Sequence, residues 1–114
     1  MNVKIKRIYE TPSKADRERI LVDRLWPRGL TKEKADIDIW LKDIAPSTAL
    51  RKWFGHDSKK WTEFRKKYLQ ELKDNEEQIS MLKERLKKGA VTLVYGAKDE
   101  KNNEARVLEE LLNR

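Results

Sequence analysis

Two arginines, an aspartate and a tryptophan fall within one short run, Asp23-Arg24-Leu25-Trp26-Pro27-Arg28-Gly29. A guanidinium forks two parallel hydrogen bonds onto a phosphate or a carboxylate, so Arg24 and Arg28 on one stiff turn would hold an anion at little ordering cost. Pro27 and Gly29 supply the stiffness, one by fixing φ and the other by permitting turn geometry. Trp26 offers a flat face on which a base or ring stacks. Asp23 would orient an arginine, hold a magnesium ion or move a proton. The plainer alternative is that Asp23 pairs with an arginine to fasten the loop while Trp26 packs into the core.

Two further segments carry candidate groups. In Ala45-Pro46-Ser47-Thr48-Ala49-Leu50-Arg51, Ser47 reads as a helix N-cap. The free amides of the first turn would then face an anion, with Arg51 one turn on. The alternative is an ordinary cap with a surface arginine. In Tyr95-Gly96-Ala97-Lys98-Asp99, Gly96 permits close backbone approach after a strand, and Tyr95, Lys98 and Asp99 add polar groups at the same edge. That segment lacks the glycine spacing and the Lys-Ser/Thr ending of a phosphate-binding P-loop. His56 beside Asp57 has the types of a general base and its orienter, but adjacent residues rarely adopt that geometry. The reading therefore places ligand-binding roles on Arg24, Trp26, Arg28, Ser47, Arg51, Tyr95 and Lys98, and the reacting carboxylates on Asp23 and Asp99.

Composition narrows the chemistry. With no cysteine, disulfides, thiolate nucleophiles and Cys-based zinc sites are excluded. A single histidine excludes a two-histidine metal site, so any metal would be an oxygen-ligated ion such as magnesium; no metal ligands are assigned. The net charge is +7, concentrated in the half of the chain before His56, a field that favours anionic partners such as nucleic acid or phosphorylated small molecules. No apolar run approaches the roughly 20 residues that span a bilayer, and the start, MNVKIKRIYE, lacks a signal-peptide apolar stretch. A cytoplasmic location without a membrane partner is the expectation. Neither a cofactor nor an oligomeric state is written in the pattern.

The elements that must position these groups follow from periodicity. Val3 to Ile8 alternates apolar and basic residues, a half-exposed strand, and residues 9 to 18 read as a loop or short helical turn. Arg19 to Asp23 and Ala90 to Tyr95 carry continuous apolar runs, as in strands covered on both faces. Leu25 to Lys34 reads as loop, and Ile37, Ile39 and Leu41 alternate as a third short strand would, a helical turn being the other reading. Ser47 opens a helix that Gly55 stops. Trp61, Phe64, Tyr68, Leu69 and Leu72 form one apolar stripe, Ile79, Leu82 and Leu86 a second one ended at Gly89. Asn102 or Asn103 caps a last helix carrying Ala105, Leu108, Leu111 and Leu112. The expectation is a single α/β domain over residues 1–114, with a partly parallel central sheet of three or four strands covered by helices. Such sheets bind ligands outside the carboxyl ends of their strands, where the Asp23 and Tyr95 segments emerge together if their strands are parallel.

In combination these motifs are more specific than any one alone. The run Arg19 to Gly29, then Ala45-Pro46-Ser47 with Leu50-Arg51, then Phe64-Arg65 with Tyr68 and Glu71-Leu72, then Thr92 to Tyr95 ending at Lys98-Asp99, resembles the domain-of-unknown-function family 488 in its short YeaO-like branch, over nearly the whole chain. The resemblance implies a small bacterial or archaeal α/β protein and names no reaction. Labels such as transcription regulator or methyltransferase-related find no helix-turn-helix and no glycine-rich methyl-donor loop here. Where such proteins often carry a His-Asn pair before the last helix, this chain has Asn102-Asn103, which weakens any scheme needing a base there.

The leading expectation is thus an uncharacterised small α/β protein with a phosphate- or anion-binding site, acting on a nucleotide or nucleic acid. The alternatives are a non-catalytic basic nucleic-acid-binding module, or an interaction domain using aromatics such as Trp40 or Trp53.

Overall fold

Two continuous apolar runs and two alternating stretches become four strands, and the computed structural model, which describes residues 3–114, arranges them in one wholly parallel sheet. Strand β1 is Val3–Arg7, β2 is Glu18–Leu21, β3 is Ile39–Trp40 and β4 is Val91–Tyr95. Their order across the sheet is β1-β4-β2-β3. The two strands with continuous apolar sequence, β2 and β4, are therefore the interior pair, because only interior strands bury both faces. Their register sets Ile20 beside Leu93 and Leu21 beside Val94.

Alternation then divides the run between two layers. Ile20, Val22, Leu93 and Tyr95 join the large core beneath the helices, while Leu21 and Val94 join Ile8 and Ala35 on the opposite face. That second face is covered by loop residues, Trp26, Leu30 and Ile37 among them. A short helix, α1 (Lys32–Ala35), stands where the sequence reads as loop. Thr31 caps it and Asp36 ends it in the left-handed conformation at φ 48°, so it spans a single turn and leaves too little periodicity to read.

The crossover from β3 to β4 carries α2 (Thr48–Phe54), α3 (Trp61–Lys73) and α4 (Glu76–Lys88), and α5 (Glu104–Leu112) follows β4. Phe54, Phe64 and Tyr68 pack in sequence, with the Phe54 and Phe64 rings stacked at 4.2 Å. The Tyr68 hydroxyl donates to the Ile44 carbonyl at 2.7 Å, which fastens α3 to the segment entering α2. Gly55 stops α2 at φ 52°, a conformation that favours glycine. Among the described residues no helix is long and apolar enough to cross a membrane.

At the amino edge of the sheet, Asp16 and Arg19 form a buried ion pair at 2.6 Å. Lys6 also donates to Asp16, and Arg19 donates further to the carbonyls of Ala35 and Asp36. This network ties β1, β2 and the end of α1 together on the side away from the segments that follow β2 and β4.

Candidate functional site

Because β2 and β4 are adjacent and parallel, the residues after them leave the sheet side by side. Asp23 follows β2 and Gly96 follows β4, and the Gly96 amide donates to Asp23 Oδ2 at 2.8 Å. A Cβ at position 96 would lie 2.8 Å from that same oxygen, so glycine is what allows the carboxylate to sit there. The Trp40 indole donates to the Asp23 carbonyl at 2.7 Å. Asp23 is held by backbone and side chain at once.

Above this floor opens a cleft of about 410 Å³. One wall is the turn Arg24 to Arg28, another is α2 with Arg51 and Phe54 and the His56 that follows it, and the floor holds Asp23, Gly96, Phe64 and Glu104. Arg24 donates to the carbonyls of Pro46 and Ala45, both at 3.1 Å, which joins the first wall to the entry of α2. The side chains of Arg28 and Arg51 have no hydrogen-bond or ion-pair partner among the described residues. Three guanidinium groups from two segments thus line one cleft, and among the described residues no carboxylate forms an ion pair with them.

Glu104, which no sequence motif marks, also lines the cleft. It is the first residue of α5, after the N-cap Asn103, and it shares the floor of the cleft with Asp23. Burial, with the neighbouring Asp23 charge added, raises its pKa well above the ordinary glutamate value, against a smaller opposing pull from Arg51. Asp23 Oδ1 is buried and has no hydrogen-bond partner among the described residues.

The other sequence candidates lie elsewhere or are already engaged. Trp26 lines the cleft, but its indole donates to the Leu30 carbonyl at 2.8 Å and its ring meets Trp40 edge-on at 5.5 Å. Ser47 caps α2 by accepting from the Leu50 amide, and Glu71 of α3 accepts from both its hydroxyl and its amide. An internal carboxylate therefore occupies the helix start that the sequence reading assigned to an outside anion.

Tyr95 is buried in the core at the end of β4, on the same face as Leu93, and it does not line the cleft. Lys98 is exposed outside the cleft. Asp99 accepts from the amides of Lys101 and Asn102, which hold its carboxyl below the usual range. It shapes the loop that delivers Glu104 and does not reach Asp23's side of the cleft. The pair of reacting carboxylates expected as Asp23 and Asp99 is replaced in space by Asp23 and Glu104.

His56 lines the cleft at φ 57°, while the Asp57 carboxylate accepts from the Lys59 amide. Of the exposed-aromatic candidates, Trp40 is fixed through Asp23, and Trp53 lies beneath the ammonium groups of Lys60 and Lys67 at 5.1 and 4.0 Å. Among the described residues no cluster of three or more acidic or histidine side chains could hold a metal ion.

Residues 2–114 match the family described as the inactive DUF488-N3 subclade. The chain is 44% identical to the uncharacterised protein YeaO of Escherichia coli K12 over 112 residues, covering 98% of this chain and 97% of that one. It is 37% identical to the uncharacterised protein Rv3073c of Mycobacterium tuberculosis H37Rv over 111 residues, covering 97% of this chain and 93% of that one. No solved structure matches significantly.

Proposed function

We propose that this chain, which belongs to the DUF488 family and within it to the subclade described as inactive, binds a small anion in the arginine-lined cleft and does not turn it over. The observation that carries this reading is the pair Arg28 and Arg51, which share the cleft while neither is neutralised by an internal carboxylate. An unpaired guanidinium in a concave, partly apolar site gains more from a bound anion than one on an open surface, where water competes. Arg24 has a different role, because two carbonyls already take its donors. It braces the wall that presents Arg28. The description of the subclade as inactive supports binding ahead of catalysis.

The test is a calorimetric titration of the full chain with inorganic phosphate, sulfate and pyrophosphate, repeated on Arg28→Ala and Arg51→Gln. Each substitution is expected to weaken binding by about 1.5 to 3 kcal/mol, roughly ten- to hundredfold, the scale of a charge-assisted hydrogen bond. Equal affinity in parent and variants would remove the cleft as the anion site.

A further inference from the structure

The charges and walls of the cleft discriminate among anions. Three arginines line it, against two carboxyl groups, Asp23 and Glu104, that lie together on its floor. Burial and the Asp23 charge disfavour the ionised form of Glu104, which widens the excess of positive charge. The cleft is cationic in balance. A phosphomonoester, with a charge of about −1.5 to −2 at neutral pH, fits that excess, whereas a phosphodiester link of a nucleic-acid backbone carries about half as much. Charge complementarity of this kind acts through selection among partners more than through raw affinity.

The walls add a second constraint. The cleft volume of about 410 Å³ falls in the range of small-molecule sites, roughly 300 to 1,000 Å³, and a phosphate group alone would leave most of it empty. Beside the arginines the lining is apolar, with Trp26, Pro27 and Phe54. Trp26 lines the cleft while packing on the second core, and its indole hydrogen bond and its contact with Trp40 fix its position, so a ligand meets it without further ordering cost. The floor of Asp23 and Glu104 is unfavourable for the phosphate itself, which leaves it to the exposed Arg28 and the neighbouring Arg51.

We propose that the ligand is a phosphomonoester joined to a flat ring, of mononucleotide size, with its phosphate between Arg28 and Arg51 and its ring against the Trp26–Pro27 wall. This deepens the anion-binding reading and rests on it.

The experiment compares four probes by calorimetry on the full chain at neutral pH and fixed salt: inorganic phosphate, a nucleoside, its 5′-monophosphate, and the corresponding 3′,5′-linked dinucleoside monophosphate, in a purine and a pyrimidine series. The 5′-monophosphate is expected to bind at least about tenfold more tightly than each of the other three. Arg51→Gln, with its thermal unfolding compared with the parent's, is expected to reduce the monophosphate to the level of the nucleoside. If inorganic phosphate binds as tightly as the monophosphate, the ring assignment is overturned and the anion site stands. If the dinucleoside monophosphate binds as tightly, the monoester assignment is overturned. Silence from all four overturns both this inference and the anion-binding reading.

Discussion

The Gly96 amide donates to Asp23 Oδ2 at 2.8 Å, and through that bond the ends of the two central strands meet at the floor of the cleft. The parallel pairing of β2 with β4 makes the contact inevitable once Asp23 follows one strand and Gly96 the other. It also places a carboxylate where a side chain at 96 cannot fit.

Gly96→Ala is therefore expected to destabilise the fold by about 1 to 3 kcal/mol, the cost of overpacking a well-filled site, because the new Cβ would meet Asp23 Oδ2 at 2.8 Å. Denaturant unfolding measures this. An unchanged midpoint would mean that the floor is looser than the contact implies.

The raised pKa of Glu104 predicts a pH dependence with a definite sign. The folded state holds a proton that the unfolded chain releases near pH 4.5, so the contribution is fully present below that pH and is lost as pH rises toward the folded value. Each unit between the two values is worth about 1.4 kcal/mol. Glu104→Gln stays neutral beside Asp23 and removes the titration, so it should be more stable than the parent at neutral pH and equal to it near pH 4. Parallel thermal melts across that window decide the matter, and a variant less stable at pH 7 would contradict the proton assignment.

At the opposite edge the sign is reversed. Burial alone would raise the Asp16 carboxyl, but the Ser13 amide, Lys6 and Arg19 together hold it below the ordinary value. Its contribution is present above the unfolded value near 4 and lost as pH falls through the folded one. Asp16→Ala, which strands the buried Arg19, is expected to cost about 3 to 5 kcal/mol at neutral pH. Its penalty should shrink in acid. A constant penalty from pH 7 to pH 2 would show that packing, not charge, is what Asp16 supplies.

Ser47→Ala separates two readings of one residue. As a cap whose helix start is already filled by Glu71, it should lose about 1 kcal/mol of stability and leave anion affinity unchanged. A variant that folds as well as the parent but binds phosphate tenfold more weakly would restore the helix start as part of the site.

Much of this arrangement is legible in the chain itself, and the reasons for what is not are physical. The continuous apolar runs around Ile20 and Leu93 mark interior strands because only burial on both faces tolerates them. Pro27, Gly29 and the nearby arginines mark the wall. Glu104 is silent by contrast: a glutamate after an asparagine cap reads as a favourable helix start, and nothing local points to Asp23, its neighbour in space but distant in sequence. Tyr95 follows its strand's parity inward with Leu93, a constraint stronger than its polar hydroxyl. Ser47 carries the cap signal faithfully, but its acidic partner comes from α3, and tertiary neighbours leave no mark in a local pattern.

Anion binding between Arg28 and Arg51 is read most plainly from a crystal of the chain grown in sulfate or phosphate. Tetrahedral density is expected in the cleft within hydrogen-bond reach of both Arg28 and Arg51, with Glu104 still beside Asp23. Arginines turned away from the cleft, with anions bound only elsewhere on the basic surface, would contradict it.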